Sequence, residues 1–460
     1  MKEFVKVRTE AAHCTHIKGQ DVAYRAICEN FPFFDAQGQP MASISTFTYM
    51  RSDIESTVGR PVLFFWNGGP GCASLYLHMG LLGPSKIHFG DGVSFAVTAP
   101  IELMENEDCL LDICDIVAVD PVNTGFSRFL SDEGKAFLYS TDGDADCMIS
   151  IIRQWLATHR RWNSPLYLLG ESYGTIRGAQ VAQRINTGST FSAGLHISGL
   201  ILLGPAIGYG EAPLPIYPSV LNLPSNAAAQ WYWHREGKGS LEEFLQECDD
   251  FCYREYLYAL AEGSRLPAER KQEIAEKLNR FTGLPVKKLL QDALVVDTYD
   301  FSAHRFAEEG RSVGLYDARL SAPTANAASY DFSLDAGNQV YAAFVVALNS
   351  LLPEEFNIDF AEEYRHADTL AESKWNWTPT VDTPKALENA MQRNQHLKLM
   401  FGVGQYDMLC TGGLTRYICN HYNLPRNRTQ IRYYTSGHMP YLGDTLAAQV
   451  LADIRQLILQ

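Results

Sequence analysis

Short apolar runs punctuate the chain at Val62 to Trp66, Ile116 to Val119, Leu166 to Leu169, Leu200 to Leu203, Leu397 to Val403 and Ile431 to Tyr434, the last two each holding one basic residue. Runs of this length without alternation suit strands buried on both faces, and they predict a parallel sheet. Helix-compatible stretches separate several of them, so helices are expected on both faces, with functional loops at the carboxyl ends of the strands. Upstream, residues 13–51 alternate in short stretches broken by Lys18-Gly19-Gln20-Asp21 and Ala36-Gln37-Gly38-Gln39-Pro40. That pattern predicts an antiparallel sheet edge. From Tyr209 the pattern changes to a proline-rich loop (Pro213, Pro215, Pro218, Pro224), followed by amphipathic stretches over residues 241–261 and 267–281. Residues 209–333 are therefore expected to form an inserted, mainly helical lid on an α/β domain built from residues 1–208 and 334–460. A separate helical domain with a role of its own is the alternative.

Composition narrows the functional classes. With 46% hydrophobic and 20% charged residues, the 460-residue chain has the make-up of an ordered globular protein. Its 53 acidic and 38 basic residues give a net charge of -15, which repels phosphate backbones and anionic lipid. Neither nucleic acid nor a membrane is expected as a partner. Met1 to Glu10 mix charged residues with single apolar ones, and no later window is long enough to cross a bilayer. The expectation is a cytoplasmic chain, or a secreted or periplasmic one if the true N-terminus differs. The ten cysteines lack the paired short spacings of a zinc site. Cys248 with Cys252, and the run His13-Cys14-Thr15-His16, are read as structural. No metal and no cofactor are expected, and oligomeric state is not indicated.

The candidate chemistry centres on Gly170-Glu171-Ser172-Tyr173-Gly174, directly after the apolar run Leu166 to Leu169. A strand driving into a sharp, glycine-flanked turn presents a serine at its apex, where a nucleophile would sit. Such a serine needs a base, an acid to orient that base, and backbone donors for the developing oxyanion. Asp407 comes after the run ending at Val403, and His438 after the one ending at Tyr434. The order serine, acid, histidine, each on a loop after a strand, is that of α/β hydrolases. A second loop, Trp66-Asn67-Gly68-Gly69-Pro70-Gly71-Cys72, also succeeds a buried run, and its glycines leave backbone N–H groups approachable.

Five stretches together resemble the serine carboxypeptidases, peptidase family S10: Asn67 to Cys72, Asp120 to Ser127, Gly170 to Gly174, Asp407 with Cys410, and Gly437-His438-Met439. Glu309-Gly310-Arg311-Ser312-Val313-Gly314 is similar to bacterial members. The resemblance implies an α/β-hydrolase fold and a peptide substrate with a free C-terminus. It further implies Ser172 as nucleophile, His438 as general base, Asp407 as its orienting acid and the amides of Gly69 and Tyr173 as the oxyanion hole. Asn67, Gly68 and Glu171 would hold the substrate carboxylate. Two carboxyl groups at hydrogen-bond distance cannot both stay charged, so Glu171 is expected to hold a proton when substrate binds, favouring acidic pH. Ala73 stands where the family usually has serine, and Trp66 precedes Asn67 without the usual intervening residue. Two alternatives stay open: an acyltransferase or esterase on the same scaffold, and a catalytically silent binding protein of the same fold.

Overall fold

Parallel pairing joins the six apolar runs side by side in one ten-stranded sheet, with Ile431 to Tyr434 on its outer edge. The computed structural model describes residues 3–93, 99–187, 194–208, 216–237, 239–324, 330, 332–377 and 382–460. Its main strands are β1 (Arg8–Ile17), β2 (Gln20–Phe34), β3 (Pro40–Arg51), β4 (Val62–Trp66), β5 (Asp115–Val119), β6 (Leu166–Glu171), β7 (Ile197–Leu203), β8 (Lys398–Gly404) and β9 (Thr429–Tyr434). They lie in the order β1-β2-β3-β5-β4-β6-β7-β8-β9, and the short strand Arg128–Phe129 pairs with β3. The first three strands are antiparallel, and β3 runs antiparallel to β5. This sheet edge starts earlier than the alternation at residues 13–51 suggests, because β1 is an outermost strand whose half-exposed side chains weaken the apolar signal.

The principal helices around the sheet are α1 (Thr141–Thr158), α2 (Tyr173–Thr187), α3 (Ile216–Trp233), α4 (Ala268–Thr282), α5 (Tyr341–Glu355), α6 (Thr383–Arg393) and α7 (Asp444–Leu459). Side chains alternate across the sheet plane, so one strand feeds two cores. On β4, Leu63 and Phe65 pack into the cluster shared with α5 and α7. Val62, Phe64 and Trp66 pack into the cluster shared with α1, α2 and α6. A mostly parallel sheet covered on both faces, with β5 and β4 reversed relative to chain order, is the α/β-hydrolase arrangement.

Between β7 and β8 the chain leaves the sheet, and much of this excursion builds a third apolar cluster that includes Val220, Leu223, Phe244, Leu278, Phe281 and Phe301. One expectation is corrected in this segment: Pro218 and Pro224, placed in a loop by the local pattern, lie within α3. Pro218 falls in the first turn, where a missing N–H costs little, whereas Pro224 removes an internal hydrogen bond. Burial of Val220, Leu223 and Ala227 to Ala229 on the same helix offsets that loss. Pro213 and Pro215 fall outside the described residues. The described residues include all ten cysteines, and no disulfide joins any of them. Cys248 and Cys252 are buried in the third cluster, and His13 and His16 bond to Glu355 and Asp21 respectively. Among the described residues no helix is long and apolar enough to cross a membrane.

Candidate active site

Ser172 sits between β6 and α2 with φ +57°, a left-handed conformation that a residue with a Cβ adopts only where its surroundings impose it. The turn is held by the Ser172 N–H donating to Leu203 O (3.0 Å) and by the Thr175 hydroxyl donating to Ser172 O (2.6 Å). Neighbouring backbone leaves no room at the turn: a Cβ on Gly68 would lie 2.5 Å from Tyr173 N and 2.9 Å from Ser172 Cβ. Gly69 has φ +105°, which again only glycine adopts without strain. Among the described residues, no hydrogen bond occupies the N–H of Gly69 or of Tyr173. Two backbone donors are thus available beside the half-buried Ser172.

The loops after β8 and β9 bring the other two groups in. Asp407 is fully buried, and its Oδ1 accepts from the N–H groups of Leu409 (2.8 Å) and Cys410 (2.9 Å), leaving Oδ2 for His438 Nδ1 at 2.8 Å. His438 donates its own backbone N–H to Tyr316 O (2.6 Å) and lays its ring against Tyr316, centroids 5.5 Å apart. It also lies over Gly204, where a Cβ would come within 3.1 Å of the imidazole. Since Ser172 bonds to Leu203, the serine and the imidazole converge on the end of β7 from two sides. Burial acts to lower the His438 pKa, but the Asp407 carboxylate and the Cys410 thiol outweigh it, and the imidazole is raised above its ordinary value. Asp407, Cys410 and His438 place ligand-type atoms within 4.8 Å of one another, and the carboxylate and imidazole of that group already bond to each other.

Next to the serine lies a buried carboxyl. Glu171 Oε1 accepts from Asn67 Nδ2 (3.1 Å), while Asn67 Oδ1 accepts from the Leu77 N–H (3.0 Å). Burial pushes Glu171 up to about 7, against the opposing pull of His438, Tyr441 and Asn67. Glu171 Oε2 and the Tyr441 hydroxyl are both buried without a hydrogen bond of ordinary geometry. A family model for serine carboxypeptidases, Peptidase_S10, matches residues 41–440. The chain belongs to this family.

Among relatives, Serine carboxypeptidase-like 49 of Arabidopsis thaliana is 29% identical over 185 residues, covering 39% of this chain and 33% of that protein. Pheromone-processing carboxypeptidase kex1 of Pyrenophora tritici-repentis is 32% identical over 116 residues, 25% of this chain and 16% of that protein. The chain thus spans at most about a third of the length of these curated relatives. The solved structure of Kex1(delta)p, a prohormone-processing carboxypeptidase from Saccharomyces cerevisiae, superposes with TM-score 0.54 at 14% identity, covering 94% of this chain and 91% of that one. That likeness is one of fold.

In this S10 chain the two departures around the Asn67 loop are locally accommodated. Trp66 remains the last residue of β4 and its indole N–H donates to Gly174 O (2.9 Å), locking the loop to α2. Ala73 is buried, and its N–H donates to His366 O. Asp120 braces the loop from below by accepting from the Ser74 N–H (2.9 Å) and the Tyr364 hydroxyl (3.1 Å), with its pKa raised by burial to about 6.

Two charged residues that no sequence motif singled out anchor the site. Arg177, fully buried on α2, donates to Asp144 Oδ2 of α1 (2.7 Å) and to Asn67 O (2.7 Å). The Tyr173 hydroxyl donates to the same Asp144 oxygen (3.1 Å), so one ion pair ties together the amide beside the serine and the loop holding Asn67. The available signal was an arginine set among the apolar and small residues Ile176, Gly178 and Ala179 early in α2. Arg177→Met leaves Asp144 buried and unpaired, and should lower unfolding free energy by about 3–5 kcal/mol, read from denaturant titration.

Proposed function

We propose that this chain is a serine-type carboxypeptidase that releases the C-terminal residue of a peptide through an acyl-enzyme. The observation that carries the reading is the buried Glu171–Asn67 pair directly beside the serine. A protonated carboxyl and an amide N–H offer two donors to a terminal carboxylate, and the Tyr441 hydroxyl, which acts on Glu171 without a well-formed hydrogen bond, adds a third polar group beside them. Gly68 lets the backbone of that loop lie against the nucleophile turn.

In this mechanism His438 Nε2 accepts the Ser172 proton as Oγ attacks the scissile carbonyl, and the imidazolium is stabilised by Asp407. The amides of Gly69 and Tyr173 hold the oxyanion. Collapse breaks the C–N bond, and the proton passes from His438 to the departing amine. Water then attacks the ester and gives its proton to His438, and collapse breaks the bond from Ser172 Oγ to the acyl carbon as His438 returns that proton to Oγ and the shortened peptide leaves. The fate of one proton is central: Glu171 and His438 sense each other's charge, and a bound carboxylate draws that proton onto Glu171, which frees the imidazole to act as base.

Two finer readings accompany this one. The segment 209–333 acts as a lid on residues 1–208 and 334–460, supported by its own apolar cluster and by the Tyr316 carbonyl that receives the His438 N–H. The chain is of the bacterial type within the family, on the strength of Glu309 to Gly314, although the Arabidopsis and Pyrenophora relatives are plant and fungal. The test of the main reading compares blocked dipeptides with a free C-terminus against their C-terminal amides. The free acids should be cleaved about 10- to 100-fold faster, since removing a charged hydrogen-bonding partner loses one to two powers of ten. Equal turnover of both, or activity confined to small esters, would favour the esterase or acyltransferase reading instead.

A further inference from the structure

A cavity of about 310 Å³ lies where the segment after β7 meets the remainder of the chain, and its wall includes Tyr232, Trp233, Arg311, Arg319, Ser321 and Gln339. Its floor of Leu320, Gly337 and Val340 is shared with a narrower cleft that reaches His438. The cavity and the cleft at the histidine are therefore neighbours, with these three residues between them.

The two guanidinium groups in it differ in their commitments. Arg319 is neutralised: Nε donates to Asp317 Oδ1 (2.9 Å), Nη2 to Asp317 Oδ2 (2.6 Å) and Nη1 to Thr435 O (2.6 Å). It also lies over the Tyr406 ring at 5.3 Å. Arg311, half-buried on the two-stranded ribbon of Arg311–Val313 and Ser321–Pro323, donates to the neutral Ser321 hydroxyl. Among the described residues it pairs with no carboxylate. An acidic protein of net charge -15 thus keeps one uncompensated arginine in a cavity beside its catalytic histidine. Aromatic walls flank it, and Ser321 and Gln339 supply neutral polar groups.

The chemistry decides which part of a substrate reaches this cavity. His438 gives its proton to the departing amine, so the released residue lies on the histidine side of the scissile bond. We propose that this cavity receives the side chain of the released residue and that Arg311 selects a carboxylate there, making peptides ending in glutamate or aspartate the favoured substrates. The inference rests on the carboxypeptidase reading and adds the substrate class to it. The planar fork of arginine suits a carboxylate held in two-point contact.

The test uses blocked dipeptides ending in Glu, Gln and Leu, with kcat/KM measured for the wild type, Arg311→Lys and Arg311→Gln. The expected result is a Glu-over-Gln preference of about 10- to 100-fold that weakens in Arg311→Lys, which keeps the charge and loses the two-point contact, and collapses toward one in Arg311→Gln. Equal Glu and Gln turnover by the wild type, or an Arg311→Gln effect equal on all three peptides, would overturn the assignment. Calorimetric binding of the same peptides to Ser172→Ala separates this inference from the activity it rests on. If no peptide is cleaved, the carboxypeptidase reading falls, while a Glu-over-Gln binding preference lost in Arg311→Gln still upholds the cavity and its absence rejects it.

Discussion

Ser172→Ala and His438→Ala should each lower kcat by about 10⁴- to 10⁶-fold, with the double variant no slower than either single one, because in the proposed mechanism nucleophile and base act as one unit. Asp407→Asn should lose on the order of 10⁴-fold, since an amide at that position disfavours the tautomer with hydrogen on Nδ1. The geometry behind this is specific. Asp407 spends one oxygen on the N–H groups of Leu409 and Cys410 and the other on His438, so it cannot turn away. A fluorophosphonate should label the wild type at Ser172, fail on Ser172→Ala and react far more slowly with His438→Ala. Thermal unfolding of the variants serves as the control for folding, because Ser172 lies on a strained turn. An unlabelled wild-type serine would leave the silent binding protein as the better description.

A falling alkaline limb near pH 7 in kcat/KM for free-acid peptides is the second expected result. Burial raises Glu171 from 4.5 to about 7, so the group is neutral below that pH and becomes an anion above it. In the proposed mechanism the neutral form donates to the substrate carboxylate, and the anion would repel it. Activity should therefore fall about tenfold per pH unit above the limb. His438, whose imidazole is itself raised, must be neutral to serve as base, so the profile belongs to the coupled Glu171–His438 pair and not to either residue alone. In kcat the limb moves to higher pH, because a bound carboxylate raises Glu171 further. Glu171→Gln stays neutral throughout, so its alkaline limb should vanish, and its advantage for free acids over amides should shrink about 10- to 100-fold. Retention of the limb in Glu171→Gln would assign that titration to another group. The raised carboxyl also bears on folding: the stability it contributes is full below pH 4.5 and is lost as pH rises through 7.

Much of this site was legible in the chain because its signals are short-range. A central parallel strand is apolar on both faces, so β4 to β8 announce themselves as apolar runs, and the loop leaving the end of each run must lie at the sheet's carboxyl edge, whereas β9 on the outer edge gives a weaker signal broken by Arg432. Ser172, Asp407 and His438 could be ordered from that alone, and the glycines around Ser172 and at positions 68 and 69 mark backbone that side chains cannot share. Helix α3 was not legible, because Pro224 speaks locally against a helix and the compensating burial comes from Phe244, Leu278 and Phe281, distant along the chain.

The remaining features depend on contacts between residues that carry no mark of their partner. Arg177 and Asp144 are 33 positions apart, and nothing in either neighbourhood foretells that their ion pair clamps Asn67. The pKa of Glu171 depends on being sealed from water by the packed elements around it, a property of the assembled fold and not of the residue. Arg319 and Arg311 are alike as residues, and one is spent on Asp317 while the other keeps its charge, a difference created by where the chain places carboxylates around them. Local pattern is enough to order strands and loops, since periodicity and steric freedom act over a few residues. Electrostatics act through space, so protonation and charge in this site had to await the folded chain.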